Sequence, residues 1–270
     1  MKINFTKIID TIDRWMHRDY YSLTEASNEE LEFLIKNGVN INAKDRVGET
    51  ALMFASKYGY LETVKYLVES GADINSKNNF DYTALMWASE NGYLEVIKYL
   101  IENGADINAK DKYSETALMI ASSKGYLEIV KLLVDNGANV NIKSDIGNTA
   151  LMFASECGKL DIVKYLVENG ANINAKDDDG ENALIHVLDA KKEKALEIVR
   201  YLIDNRADIE AKNYYGKTAL MIASSEGHLE TVKLLVENGA DVNAKNSKYG
   251  GTALMEASHL EVVKYLIENG

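Results

Sequence analysis

The sequence predicts an all-α chain, a solenoid of stacked helix–turn–helix units joined by hairpin-like loops. Three observations carry this. The tripeptide TAL begins at Thr50, Thr83, Thr116 and Thr149, returns as NAL at Asn182 and again as TAL at Thr218 and Thr252, so the spacings are 33, 33, 33, 33, 36 and 34 residues. Each return is followed by apolar residues at helical spacing, such as Leu61, Val64, Leu67 and Val68 after Thr50. Most of these stripes end on a glycine, as at Gly71, Gly104 and Gly137. A unit with one apolar face cannot bury it alone, so neighbouring units must stack.

Each element follows from local chemistry. Thr50 can accept a hydrogen bond from an otherwise unpaired N–H and cap a first helix over roughly Ala51 to Tyr58. Gly59 ends that helix and permits a tight turn. The stripe from Leu61 to Val68 forms the second helix, and Gly71 supplies the positive φ needed beyond its end. Ala72-Asp73-Ile74-Asn75 then leads to a turn. On this reading the units are 45–77, 78–110, 111–143, 144–176, 177–212, 213–245 and 246–270, preceded at 1–44 by an amphipathic cap helix and a degenerate first repeat. The cap face carries Phe5, Ile8, Ile9, Ile12, Trp15 and Met16.

Two units depart from the pattern. Unit 177–212 has Asn182 for Thr, Val187 for Ala, Arg206 for Gly, and three extra residues between its helices. A non-glycine residue at that left-handed position costs roughly 1 kcal/mol. The last unit is three residues shorter between its helices, and its second helix, HLEVVKYLIENG, is as apolar as an internal one.

The pattern resembles the ankyrin repeat from about Asp45 to Gly270. The family motif T-P-L-H-x-A stands here as Thr50-Ala51-Leu52-Met53-Phe54-Ala55, and its G-H as Gly59-Tyr60, Gly92-Tyr93 and, intact, Gly227-His228. The loop G-A-D-x-N-A-K is matched at Gly104 to Lys110. Ala always replaces the motif Pro, and Met replaces its His except at Ile185. The ladder Met53, Met86, Met119, Met152, Met221 and Met255 is therefore expected in the core, as a soft apolar substitute for the family's histidine hydrogen bond.

Composition bounds the function. With 46% apolar and 27% charged residues the chain can build a core. Its net charge of −12 opposes phosphate backbones and anionic membranes and favours a partner that is basic or mixed in charge. No stretch approaches the roughly 18 apolar residues of a membrane span, and the first residues lack a continuous apolar signal region. One cysteine, Cys157, permits no internal disulfide and no cysteine-rich zinc site. A reducing compartment fits, cytoplasmic or otherwise intracellular, including a host cell into which the protein is delivered.

No cofactor or catalytic constellation is evident. His17, His186, His228 and His259 fall in no metal-ligand spacing. The acidic run Asp177-Asp178-Asp179-Gly180-Glu181 fails as a calcium loop, because counting back from Gly180 puts Ala175 at the first ligand position. The chain is therefore expected not to be an enzyme.

The resemblance implies a partner site instead. In ankyrin proteins the loop tips and the inner face of the first helices form a concave groove that contacts partners. Carried over here, the tips are Arg46-Val47, Asn79-Phe80, Lys112-Tyr113, Asp145-Ile146, Asp178-Asp179, Tyr214-Tyr215 and Lys248-Tyr249. Tyr82 follows one tip and Tyr58 ends a first helix. These letters vary while the scaffold letters around them repeat, and aromatic and Arg side chains are common interface anchors. The expected contacts are Arg46, Val47, Tyr58, Phe80, Tyr82, Tyr113, Ile146, Asp178, Asp179, Tyr214, Tyr215 and Tyr249. The sequence leaves a second reading, a structural protein that self-associates through its uncapped C-terminal end.

Overall fold

A computed structural model describes residues 40–188, 194–247 and 249–270. The cap helix and nearly all of the degenerate repeat expected over 1–44 lie outside these residues, as do most of the stretched connection at 189–193 and Lys248. Among the described residues there are fourteen α-helices and no strand. The chain divides into two compact units, Met1–Ala117 and Leu118–Gly270.

The first unit contains α1 (Ala51–Tyr58), α2 (Leu61–Glu69), α3 (Ala84–Asn91) and α4 (Leu94–Glu102). The sequence explains both ends of α1. Thr50 is extended and its hydroxyl accepts the Met53 N–H at 3.3 Å, a cap that contributes about 1 kcal/mol. Gly59 closes the helix at φ +74°, and the ring of Tyr93 would lie 2.4 Å from any Cβ there, so conformation and space both demand glycine. Thr83 caps α3 in the same way. Helix α1 packs on α2 and α3, and α4 on α2 and α3. The shared core holds Leu52, Met53, Val64, Leu67, Leu85, Met86, Ile97 and Leu100, all at most 2% exposed. Each such side chain contributes roughly 1.5–3 kcal/mol by leaving water.

The second unit contains α5 (Ala117–Lys124, all but its first residue), α6 (Leu127–Asp135), α7 (Ala150–Glu156), α8 (Leu160–Glu168), α9 (Ala183–His186), α10 (Ala195–Asp204), α11 (Ala219–Glu226), α12 (Leu229–Glu237), α13 (Ala253–Glu256) and α14 (Leu260–Asn269). Helix α7 packs on α8 and α9, and α11 on α12 and α13, so the stacking continues through the irregular segment. Met119, Met152 and Met221 are buried as expected. Met255 is not. It is 77% exposed, because among the described helices α13 packs chiefly on α11 and α14, whereas the equally short α9 is enclosed by α7, α10 and α11.

The loop letters are explained by bonds between successive repeats. Lys44 and Lys77 each donate their ammonium to the carbonyl of the lysine 33 residues on, at 2.7 Å. Asn75 donates to the Gly104 carbonyl and accepts the Asp106 N–H, and Asn141 does the same with Gly170 and Asn172 in the second unit. The N and K of the repeated loop thus tie one turn to the next. Arg206 takes φ +68°, as its place requires. Asp81 and Ser114 at φ +58° are positions that the motif did not signal, where other loops carry glycine.

Candidate protein-binding surface

The tips are positioned by one device. The first loop residue turns its side chain inward to hold the loop. Asp45 Oδ1 accepts the N–H groups of Val47 and Glu49 at 2.9 and 2.8 Å, and Asn78 Oδ1 those of Phe80 and Tyr82 at 2.9 and 3.0 Å. Asp111 repeats this with Tyr113 and Glu115, and Asn213 with Tyr215 and Lys217. Loops are also bonded to each other: Asn79 N–H to the Val47 carbonyl and Lys112 N–H to the Phe80 carbonyl in the first unit, Asp178 N–H to the Ile146 carbonyl in the second. With backbone polar groups occupied in this way, the tip side chains project from a fixed frame.

Those side chains are large and exposed. Phe80 is 50% accessible, Tyr113 58%, Ile146 61%, Tyr214 77%, Tyr215 50% and Tyr249 81%. Arg46, Asp178 and Asp179 are exposed, while Val47 and Tyr58 are half-buried. Tyr214 and Tyr215 meet edge to face at 5.5 Å. Tyr215 and Tyr249 line one cavity of about 260 Å³ with Lys217 and Asn246. Lys217 is fixed there by an ion pair to Glu256 at 2.8 Å, and Asn246 donates to the same carboxylate.

Tyr82 has a different place from the other aromatics. Its ring packs edge-on against Trp87 at 4.7 Å and its hydroxyl donates to Glu90 at 3.1 Å. Burial first, then the Glu90 carboxylate, holds its phenol well above the ordinary value. Lys57 lies 3.9 Å from the centre of the Trp87 ring and 3.7 Å from Glu49. The first helices thus add a half-buried Tyr–Trp–Lys cluster beside the Phe80 tip. The sequence reading missed Trp87, which occupies the variable x of the motif. That position varies between repeats while the buried Leu and Met beside it recur, a signal available in the repeat alignment.

A second cluster was not legible from spacing. Asp177 and His186 meet at 2.8 Å through Oδ2 and Nε2, their side chains 7% and 11% exposed, and Glu181 offers a carboxylate beside them. His186 also sits at the x position, where other repeats have Phe54, Trp87, Ile120, Phe153 and Ile222. Cys157 ends α7, half-buried, as a free thiol.

Three stretches, 22–111, 109–177 and 187–270, each match the family model described as ankyrin repeats (3 copies). The chain belongs to the ankyrin-repeat family. The ankyrin repeat domain of Bcl-3, a member of the IkappaB protein family, is similar in structure, with a TM-score of 0.71 and 30% sequence identity. The match covers 82% of this chain and 99% of that one. Because 652 solved chains match, likeness to one of them identifies the ankyrin fold and not a shared partner. No curated protein matches the sequence significantly. Ankyrin repeats are protein-interaction modules, and among the described residues no helix of this ankyrin-repeat protein is long and apolar enough to cross a membrane.

Proposed function

We propose that this ankyrin-repeat protein acts as an adaptor or inhibitor that binds a partner protein along its loop tips and first-helix ends. One observation carries the reading: exposed aromatic and apolar side chains recur at the tips, on loops whose backbone is fixed from within. Large rigid side chains give contact area at little cost in conformational entropy, which is why they dominate binding energy at interfaces. The charge of −12 and the acidic tip Asp178-Asp179 favour a partner that is basic or mixed in charge, and disfavour nucleic acid and anionic membranes. Tyr82 and Tyr58 serve this face as supports for Trp87 and Phe54, with Arg46, Val47, Phe80, Tyr113, Ile146, Tyr214, Tyr215 and Tyr249 as the contact set.

The test is affinity for a captured partner. Phe80→Ala and Tyr113→Ala are expected to leave the helical signal intact, and at least one should weaken binding by more than about 1 kcal/mol. Tyr214→Ala with Tyr215→Ala tests the second unit in the same way. Unchanged affinity in all of them would remove the tips as the binding face for that partner.

A second reading is favoured by a separate observation. Leu254, Met255, Leu260 and Ile267 are 40–77% exposed on α13 and α14, a run of apolar surface that suits contact with another copy. Light scattering across concentration separates the two. Reversible association that Met255→Lys and Leu260→Lys abolish supports self-assembly; a mass constant with concentration leaves the partner-binding reading alone.

A further inference from the structure

We propose that Asp177, Glu181 and His186, with the amide oxygen of Asn148, form a binding site for one divalent transition-metal ion. The site flanks the Asp178-Asp179 tip without using either side chain, and nothing in the ankyrin fold requires it.

The three side chains converge because of the loop device already described. Asp177 opens its loop and spends Oδ1 on the Glu181 N–H at 2.8 Å, which leaves Oδ2 directed at His186 Nε2, also at 2.8 Å. Glu181 lies four residues on, where the loop returns, and its carbonyl accepts the Asp177 N–H. His186 completes the turn of α9. Each residue offers one ligating atom, and these atoms lie within 4.8 Å of one another. Ligands around one ion with bonds of about 2.1 Å stand roughly 3–4 Å apart, so small side-chain rotations suffice. The Asp and Glu pair recurs at Asp45 and Glu49 and at Asp111 and Glu115, but histidine follows only in this repeat.

A separate observation points to a cation. Asn148 is 6% exposed, and its Oδ1 is buried without a hydrogen-bond partner. Its loop lies against Asp177: a Cβ on Gly147 would stand 2.7 Å from the Asp177 Cα, and the Ile146 carbonyl accepts the Asp178 N–H at 3.1 Å. One repeat further on, the residues in the places of Asn148 and Asp177 are Glu181 and Asn213, and they bond at 2.9 Å. The same register brings the Asn148 position against Asp177. A buried acceptor without a donor is costly, and a metal ion held in the adjoining carboxylate cluster would supply its partner.

The donor set selects the class of ion. One imidazole nitrogen with three oxygens suits zinc, cobalt(II), manganese(II) or iron(II), whereas calcium and magnesium favour all-oxygen sites. Asn213 donates to Glu181 Oε1 and holds that carboxylate in place, as outer partners of metal ligands do. On binding, His186 Nε2 would give up the proton it shares with Asp177 and ligate the metal in its place. The ion would then lock loop 177–181 to α9, which closes on Val187 rather than on a glycine.

The experiment uses the full chain stripped with a chelator and titrated with zinc, cobalt(II) and calcium chlorides. One equivalent of zinc should bind and raise the thermal midpoint, and cobalt(II) should give visible absorption bands characteristic of a protein-bound ion. Asp177→Asn and His186→Phe place residues that other repeats carry there, Asn78 and Phe54, so both variants should fold. Each should weaken zinc binding at least about tenfold and lose the cobalt bands. If His186→Phe proves unfolded by circular dichroism, Asp177→Asn alone decides. Equal zinc affinity in wild type and variants, or stabilisation by calcium equal to that by zinc, would overturn the proposal.

Discussion

Residues 78–110 and residues 177–212 are built on one plan, and they part company at the first helix. In the former, α3 runs eight residues from the Thr83 cap to Gly92 at φ +84°. In the latter, Asn182 caps equally well, accepting the Ile185 N–H at 3.1 Å, but α9 stops after four residues at Val187. The buried stripe survives in both: Leu85 is 2% exposed and Leu184 0%. What changes is the end of the helix and the chemistry of its variable position, where Trp87 is replaced by His186. The stack fixes the inward letters because each is held by two neighbours, and it leaves the outward letters and the helix ends free to vary.

The widest margin for breaking this comparison lies in the core. Leu85→Ala and Leu184→Ala should each destabilise by about 2–5 kcal/mol, because both remove a fully enclosed side chain that neighbours cannot replace. Urea melts of the two variants give the answer. A cost below about 1 kcal/mol at Leu184 alone would mean that the short helix lies outside the cooperative core.

A reciprocal exchange comes next in size. Gly104 has φ +92° with nothing within 4 Å of a Cβ, so a side chain there meets only conformational strain. Arg206 holds the matching place at φ +68°. Gly104→Arg should destabilise by about 1 kcal/mol and Arg206→Gly should stabilise by a similar amount. If Arg206→Gly destabilises instead, the arginine side chain makes a contact worth more than the strain.

How much of this was legible follows from the same contrast. The helices and caps were, because Thr50, Gly59 and the Leu61–Val68 stripe each state a local physical demand. The left-handed conformation of Arg206 was legible from its place in the repeat. Those of Asp81 and Ser114 were not read, although Gly48, Gly147, Gly180 and Gly216 hold the same place in other loops, because neither residue marks a left-handed turn as glycine itself does. The exposed tips could be named by where the repeats differ. The Trp87–Lys57 contact and the Asp177–His186 pair depend on how side chains meet across a fold, which spacing along the chain does not encode.

Proline offers a smaller and cleaner test. Ala84 and Ala183 open their helices after extended residues, Thr83 at ψ 168° and Asn182 at ψ 175°. Both places suit proline, whose missing N–H is not needed there and whose φ fits. Ala84→Pro and Ala183→Pro should each stabilise by roughly 0.4–1 kcal/mol by restricting the unfolded chain. Equal gains would place the difference between the two segments wholly in the folded state, and a loss at Ala183 would show that α9 begins elsewhere in solution.

The smallest effect concerns the acidic pair that the regular loops carry without a histidine. Glu115 is half-buried, and burial first, then the nearby Asp111 carboxylate, raises its pKa above the ordinary carboxylate range. A carboxyl group raised by folding favours the protonated fold. Its stabilising contribution is therefore complete below the unfolded pKa and is lost as pH rises through the higher folded value. At neutral pH the ionised Glu115 is a net cost, which solvent on its exposed side keeps small. Glu115→Gln keeps the shape and removes the charge, so it should raise the thermal midpoint at pH 7. The gain should shrink as the solution is acidified and Glu115 itself takes up a proton. Thermal melts of both proteins between pH 3 and pH 8 read this directly. A gain that stays constant across that range would show that Glu115 acts through packing, and a loss at pH 7 would show that its charge is paired in solution.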